Sequence, residues 1–158
     1  MTPAQRKAAA LSLAVALAVP AEGIRRIWYP DTGGIITVCY GHTGPVIDKQ
    51  KVYSLNECKA LLTKDMLYAV QTVDACRPGL PINVLAAFSD SVYNLGPTIA
   101  CNKAESAAAR LLAAGDYTAA CNQLPRWNKG RVLGVLVPLP GLTKRREMER
   151  QVCLDGLN

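Results

Sequence analysis

Several residue types that particular functions require are scarce or missing in this 158-residue chain. His42 is the only histidine and no two cysteines stand in a C-x-x-C pair, so we expect no metal site. Lysines and arginines form no run with interleaved aromatic residues, which disfavours nucleic acid as a partner. No internal repeat, second globular domain or low-complexity linker is visible, and the length suffices for one domain with a substantial core.

A long apolar run is missing as well. Residues 8–19 are uncharged and broken only by one serine, but a stable transmembrane helix needs about 20 apolar residues. Arg6 and Lys7 precede this run, and Pro20 and Ala21 follow it. A basic flank, a short apolar run and small residues together outline a secretory signal.

Basic residues are in excess over acidic ones, by 18 to 12, which gives a formal net charge of +6. General solubility is the ordinary explanation of such an excess. The functional explanation is attraction to a polyanion: nucleic acid, anionic lipid or the bacterial cell wall. Aromatic residues make up only 6% of the chain whereas 50% is hydrophobic, and alanine is abundant, which favours helices.

Cysteine is plentiful for a chain of this size. The six cysteines are even in number and scattered, which predicts three disulfides and an oxidising compartment. A cytosolic enzyme with six buried free thiols is the alternative. Six cysteines allow fifteen pairings, and the sequence alone does not choose among them. The cysteines are Cys39, Cys58, Cys76, Cys101, Cys121 and Cys153.

One stretch places two carboxylates and a hydroxyl around a tight bend. Glu22 falls at the expected end of a helix, and Asp31 lies in the turn formed by residues 30–34. Thr37 lies near the start of a β-type run over residues 35–40. Because the three side chains come from three local structures around one bend, the pattern predicts a cleft.

Two carboxylates in a cleft are typical of glycoside hydrolysis. One donates a proton to the leaving oxygen, and the other activates water or stabilises the cationic sugar. Apolar neighbours, among them Ile27 and Trp28, favour Glu22 as the acid, and the turn around Asp31 favours Asp31 as the carboxylate. Each residue also has an ordinary interpretation. Glu22 could be a solvated helix residue, and an aspartate before Thr-Gly-Gly is a common turn former.

From Glu22 to Thr37 the chain reads Glu-Gly-x-Arg-x-x-x-Tyr-x-Asp-Thr-x-Gly-x-x-Thr, and Gly-His-Thr follows at residues 41–43. This pattern resembles the phage-type lysozymes, glycoside hydrolase family 24. The resemblance implies an α+β, mostly helical fold with two lobes, a small β-hairpin region and a larger helical lobe. It also implies an endolysin that cleaves the β-1,4 bond between N-acetylmuramic acid and N-acetylglucosamine in bacterial peptidoglycan, without a cofactor, for host lysis.

The resemblance assigns roles to individual residues. Glu22 would be the general acid, Asp31 would position water or stabilise positive charge, and Thr37 would hold the water of an inverting reaction. Further positions matching the family would touch substrate or pair as disulfides. The substrate residues are Thr43, Tyr93 and Ser106, and the disulfides are Cys39–Cys58, Cys76–Cys101 and Cys121–Cys153. Tyr93 could instead be a core residue, and His42 is expected to be structural.

Cleavage after Ala21 would leave Glu22 without a preceding helix, so we expect the N-terminal segment to stay uncleaved. Residues 1–21 resemble the signal-arrest-release segments of secreted phage lysozymes, with residues 22–158 as the catalytic domain. Residues 8–19 would hold the exported, monomeric protein transiently on the host inner membrane, facing the periplasm, until release. The alternative is the first helix of a cytosolic enzyme that waits for a holin.

The remaining chain reads mainly as helices. A capping box at residues 54–57 begins a long helix that ends near residue 77, and further helices are expected over 81–95, 103–114 and 116–124. Residues 128–142 read as a loop with an apolar tract that contacts either the cleft or a membrane. The C-terminal TKRREMERQVCL reads as a charged helix whose basic cluster is a solvated face or faces wall or lipid.

Two rival functions remain open. A lytic transglycosylase would use Glu22 alone, so that Asp31 would be dispensable. An exported wall-binding protein would have lost catalysis altogether. One departure from the family bears on the site, because Cys39 stands where many relatives have glycine, so a disulfide is expected to hold this strand and its reduction to disorder the site.

Overall fold

The computed structural model describes residues 1–157 and shows an α+β fold in which helices dominate, as predicted. The helices are α1 (Pro3–Glu22), α2 (Leu55–Cys76), α3 (Ile82–Leu95), α4 (Thr98–Cys101), α5 (Ala107–Ala114), α6 (Tyr117–Cys121) and α7 (Pro140–Asp155), with a 3-10 helix at Leu124–Arg126. The strands are β1 (Arg25–Pro30), β2 (Ile36–Cys39), β3 (His42–Thr43), β4 (Lys129–Val132) and β5 (Val135–Pro138).

Helix α1 begins at a capping box, in which the side chains of Thr2 and Gln5 each accept a hydrogen bond from the other residue's backbone N–H. Ala10, Ala14 and Ala18 recur every four residues on its buried face. Small side chains at this spacing let α1 lie close against α3. No helix within residues 1–157 combines the length and apolar character needed to cross a membrane.

The basic flank of α1 is tied to the end of α2. Arg6 donates a hydrogen bond to Asp74 at 2.8 Å and another to the carbonyl oxygen of Leu80, and the ammonium of Lys7 lies 3.4 Å from Asp74. Residues 3–21 therefore pack into the same core as the rest of the chain. The division at residue 21 stays a prediction about function.

Strands β1, β2 and β3 form a small antiparallel sheet in which Thr37 pairs with Thr43 and Val38 with His42. Helix α2 begins at the predicted capping box of Ser54 and Glu57 and contacts both this sheet and α3. It therefore connects the small β region to the helical part of the molecule.

Helix α3 lies at the centre of the helical part, in contact with α1, α2 and α7. Its residues 84–92 are all buried, and Gly96 ends it, as predicted. The three disulfides expected from the family resemblance are present, with Cα–Cα distances of 5.0, 5.6 and 5.7 Å. They join Cys39 to Cys58, Cys76 to Cys101, and Cys121 to Cys153.

The structure corrects the helix boundaries after residue 95. A short helix, α4, was not expected, and α5 begins at Ala107 instead of residue 103. The side chain of Asn102 accepts hydrogen bonds from the backbone N–H groups of Ala104 and Glu105, which forms a turn before the helix. Helix α6 begins after its predicted N-cap, Asp116, but ends at Cys121, before the 3-10 helix.

Two predictions for the C-terminal part were wrong. Residues 129–138 are a β-hairpin instead of a loop, with Lys129 paired to Pro138 and Val132 to Val135. The basic cluster of α7 is not a solvated face throughout, because Arg145 and Arg146 are buried. The burial of the two arginines depends on partners that lie far away in the sequence, on α1 and α3.

Candidate active site

A cavity of about 360 Å³ opens where the end of α1, the β2–β3 turn, α2 and α3 meet. Most of its lining side chains are polar. They are Glu22, Gly41, Thr43, Asp65, Tyr93 and Asn94. Of the residues that the sequence proposed for a site, the structure thus brings Glu22, Thr43 and Tyr93 together.

Glu22 is the last residue of α1, and its carboxylate lies against the β2–β3 turn. A Cβ atom at Gly41 would stand in tight contact with Glu22 Oε2, at 3.2 Å, and φ +79° is a conformation that favours glycine. The Tyr93 hydroxyl donates a 2.6 Å hydrogen bond to the carbonyl of Tyr40 and fixes the same turn. The glycine of the Gly-His-Thr motif therefore makes room for the carboxylate.

Arg145 of α7 holds Glu22 from the other side. Its Nη1 donates to Glu22 Oε1 at 2.5 Å, while Nη2 and Nε donate to the two oxygens of Asp90 at 2.7 and 3.0 Å. Asp90 is fully buried in α3 and Arg145 is 5% exposed. This bidentate pair fixes the guanidinium and, through it, one oxygen of Glu22.

Sequence reasoning missed Arg145, since 123 residues separate it from Glu22. One signal was available: Asp90 stands in the otherwise uncharged stretch of α3, and a buried carboxylate requires a cationic or hydrogen-bonding partner. That signal predicts a partner for Asp90 without identifying it.

Burial opposes the charge of Arg145, but hydrogen bonds and charges from Asp90 and Glu22 outweigh it and hold its pKa above the ordinary value. Burial, followed by the proximity of Asp90, raises the pKa of Glu149 well above its ordinary value. Arg145 and Arg146 thus lie among three carboxyl groups, those of Glu22, Asp90 and Glu149, in one cluster.

Arg146 extends this cluster to the cavity. It is fully buried and donates to Asn94 Oδ1 at 2.8 Å and to Glu149 Oε1 at 2.7 Å. Burial and the charge of Glu22 also raise the pKa of Tyr93, so its hydroxyl keeps the proton that it donates.

Asp31 lies in the predicted turn, outside the residues that line the cavity. Its Oδ1 accepts hydrogen bonds from the backbone N–H groups of Gly33 and Ile35, at 2.8 and 2.9 Å. Thr37 is nearly buried on β2, directly opposite Thr43, and its hydroxyl donates to the Ile35 carbonyl at 2.8 Å. Asp31 is therefore held in the turn between β1 and β2, and Thr37 on β2. Neither of them is among the residues that line the cavity.

Two further candidates have structural contacts. Nδ1 of His42 lies 2.6 Å from Oδ2 of Asp65, which agrees with the expected structural role. Ser106 is fully buried at the N-terminus of α5, where its hydroxyl donates to Ile99 O and accepts from Ala109 N. The structure thus gives Ser106 a capping role and does not bring it to the cavity, contrary to the expected substrate contact. Within residues 1–157 no cluster of three or more histidine, cysteine or acidic side chains could hold a metal ion.

Comparison with known proteins identifies the fold and family. The phage lysozyme family model matches residues 20–149. The SAR-endolysin of bacteriophage PS119 is 40% identical over 136 residues, which cover 85% of this chain and 77% of that protein. The SAR-endolysin of enterobacteria phage P21 is 38% identical over 136 residues, covering 85% and 78%.

Solved structures agree. The active form of the P1 phage endolysin Lyz superposes with a TM-score of 0.77 at 28% identity, over 92% of this chain and 85% of that one. The muramidase domain of SpmX from Asticaccaulis excentricus gives 0.78 at 25% identity, over 89% and 94%. The secreted inactive form of Lyz gives only 0.59 at 26% identity, over 95% and 96%. The chain belongs to the phage lysozyme family of glycoside hydrolases.

Proposed function

We propose that Glu22, Asp31 and Thr37 carry out the endolysin reaction of this chain, which hydrolyses the β-1,4 bond between N-acetylmuramic acid and N-acetylglucosamine in peptidoglycan. The main support is the placement of Glu22 at a helix end in a polar cavity, where Arg145 fixes one of its oxygens. A glycosidase needs such an oriented carboxyl group beside the scissile bond. The relatives named SAR-endolysin and the neighbour named a muramidase domain agree with this substrate.

Glu22 acts as the general acid. Because Oε1 accepts the hydrogen bond from Arg145, the proton is carried on Oε2, and it passes to the glycosidic oxygen as the bond to C1 breaks. The fixed guanidinium then stabilises the carboxylate that this transfer leaves behind. The missing side chain at Gly41 leaves room for Oε2.

Asp31 and Thr37 serve the attacking water. The backbone N–H groups that bind Asp31 Oδ1 leave Oδ2 free of hydrogen bonds to residues 1–157. This oxygen accepts a proton from water, which attacks C1 from the side opposite the leaving group and inverts its configuration. Thr37 pairs with Thr43, which lines the cavity, and this pairing supports its role. Its hydroxyl, which donates to the Ile35 carbonyl, accepts a hydrogen bond from the water and orients it.

Variant kinetics on purified peptidoglycan test these roles. We expect Glu22→Gln and Asp31→Asn each to lower kcat at least about a hundredfold, in the range of positioned acid–base groups. The first product anomer, read by proton NMR, should be α. Retained activity of Asp31→Asn would instead support a transglycosylase that uses Glu22 alone, and a β anomer would contradict inversion.

We propose in addition that the chain is exported and first tethered to the host inner membrane by residues 8–19, as the names of its relatives suggest. Release would let α1 dock where the structure has it, with Arg6 and Lys7 paired to Asp74. The closer similarity to the active than to the inactive form of the P1 endolysin supports reading this arrangement as the released, active state.

Fractionation of expressing cells tests the tether. We expect intact protein in the membrane fraction first and soluble periplasmic protein later, with mass spectrometry showing the same uncleaved N-terminus in both. Soluble protein that begins at Glu22 would contradict the proposal. Protein confined to the cytoplasm would support the alternative of a holin-dependent enzyme.

A further inference from the structure

The tip of the β4–β5 hairpin exposes a cluster of large apolar side chains. Leu133 is 99% exposed, Val135 60%, Leu136 54% and Val132 47%. Single exposed apolar residues are ordinary, but four within five consecutive positions form a patch of the kind that marks an interaction site. We call these four residues the hairpin tip.

The turn inside the hairpin tip is unfavourable for the residue that it contains. Leu133 has φ +50° and Gly134 has φ +80°, which are the left-handed conformations of a two-residue hairpin turn. Asparagine, aspartate or glycine suits the first position, whereas leucine is strained there. Leu133 is therefore both strained and fully exposed. The Arg131 guanidinium donates a hydrogen bond to the Gly134 carbonyl across this turn, but it leaves the Leu133 side chain uncovered. Insertion into an apolar phase would cover that side chain.

The stretch of chain that contains the hairpin tip is positively charged. No acidic residue occurs from position 117 to 146. Apart from the buried Arg145 and Arg146, the basic residues of this stretch are exposed, and none of them forms an ion pair with residues 1–157. They are Arg126, Lys129, Arg131 and Lys144.

We propose that the β4–β5 hairpin is a peripheral membrane contact, whose tip inserts into the surface of a bilayer that contains anionic lipids. Apolar side chains at the end of a protruding hairpin enter the boundary of the acyl chains, and the flanking cations meet lipid phosphates. Peptidoglycan offers carboxylates for the cations but no apolar phase for Leu133. Lipid therefore accounts for both parts of the surface.

This contact is distinct from the tether proposed for residues 8–19. In the folded enzyme the alanine face of α1 is buried against the core, so α1 cannot enter a bilayer at the same time. The hairpin remains available in that state. It would keep the folded enzyme near the membrane that faces the peptidoglycan, and it does not depend on the roles proposed for Glu22 and Asp31.

Vesicle co-sedimentation of the oxidised full chain tests the apolar part. The vesicles contain phosphatidylglycerol and phosphatidylethanolamine, with pure phosphatidylcholine as the neutral comparison. We expect Leu133→Asn to weaken binding to the anionic vesicles about tenfold, the scale of one fully buried leucine. Asparagine suits the turn conformation, so thermal stability should be unchanged or higher. Val46→Asn, at another highly exposed apolar position, should bind like wild type.

A second pair of variants tests the charge. Arg126→Gln with Lys129→Gln should weaken binding more than about tenfold, since each cation near an anionic surface contributes about fivefold. Lys59→Gln with Lys103→Gln removes the same charge elsewhere on the exposed surface and should have little effect.

Three results would overturn the proposal. Wild type could fail to bind anionic vesicles, or Leu133→Asn could bind no more weakly than Val46→Asn. Leu133→Asn could also lose peptidoglycan turnover in the absence of lipid, which would assign the hairpin to the substrate instead. Unchanged turnover with reduced vesicle binding is the result that we expect.

Discussion

Arg145 joins two acidic side chains that lie far apart in the sequence. It pairs with the buried Asp90 and with the half-buried Glu22, so stability and the proposed catalysis share one guanidinium. Breaking a buried pair by removing one partner is costly because the other charge stays behind unpaired. Sequence patterns cannot show this residue's role, because basic residues in a charged helix usually face solvent.

We expect Arg145→Met to lower the free energy of unfolding by about 3–5 kcal/mol, since Asp90 would be left without its cation. Arg150→Met is the control, because Arg150 forms a more exposed pair with Glu147 and should cost less than about 1 kcal/mol. Urea denaturation measures both. Equal losses in the two variants would show that the Arg145–Asp90 pair does not stabilise the fold.

Cys39 has φ +62°, a left-handed conformation that explains why glycine would suit this position. Its disulfide to Cys58 anchors the strained strand to the start of α2. We therefore expect Cys39→Gly with Cys58→Ala to be more stable than Cys39→Ala with Cys58→Ala, by about 1 kcal/mol. Thermal unfolding of the two double variants measures the difference.

The same strain predicts how reductant acts on activity. Reduction should slow peptidoglycan turnover by wild type, since a released Cys39 can leave its conformation and displace the strand that carries Thr37. Both double variants lack this disulfide, and the glycine one should turn over peptidoglycan faster than the alanine one, because glycine adopts the left-handed conformation without strain. Equal rates of wild type with and without reductant would remove the link between this disulfide and the site.

Glu149 makes the buried cluster sensitive to pH. Its pKa is raised in the folded state by burial and by Asp90, so the folded protein binds this proton more tightly than the unfolded chain. The stabilisation is complete below the unfolded pKa of about 4.3 and is lost as the pH rises through the folded value.

Glu149→Gln cannot ionise, so its free energy of unfolding should fall less steeply than that of wild type as the pH is raised from acid to neutral. Glu147→Gln, on the exposed side of the same helix, should follow the wild-type slope. Denaturation at a series of pH values gives the three slopes. An unchanged slope in Glu149→Gln would mean that Glu149 is ionised in the folded state.

Among the secondary-structure elements, those with local signals could be predicted. In the sequence itself, the capping box of Ser54 marks the start of α2 and the glycine at position 96 marks the end of α3. Strands β4 and β5 could not be predicted. Most of their residues are exposed on either face of the hairpin, so apolar and polar residues do not alternate. The turn around Asp31 could be predicted from its own residues. The burial of Ser106 could not, because it depends on the packing of α4 and α5.

Helix α1 docks on the rest of the fold partly through ion pairs to α2. Asp74 is the single acidic partner of Arg6 and Lys7 among residues 1–157. We expect Asp74→Asn to lower the stability of the folded protein by about 1 kcal/mol, the upper range for partly exposed ion pairs. In expressing cells it should also leave more protein in the membrane fraction, as measured by fractionation. Asp155→Asn, at an exposed acidic position without an ion pair to residues 1–157, is the control.

At the scale of the whole molecule, one segment serves two purposes. Helix α1 supplies part of the core and ends in Glu22, so the active site is complete only when residues 3–21 are folded against α3. A segment held elsewhere, for instance in a membrane, would leave Glu22 away from Arg145. Family resemblance proposes Glu22, Asp31 and Thr37 from the sequence, but the ion-pair cluster that holds Glu22 required the folded chain.

The fate of solvent oxygen distinguishes hydrolysis by two carboxylates from cleavage by Glu22 alone. Purified peptidoglycan would be digested by the oxidised wild type in water enriched in oxygen-18, and the products weighed by mass spectrometry. We predict muramic acid reducing ends that carry the label, and no labelled product from Glu22→Gln or Asp31→Asn. Unlabelled anhydromuramic ends, formed equally well by Asp31→Asn, would contradict hydrolysis by two carboxylates.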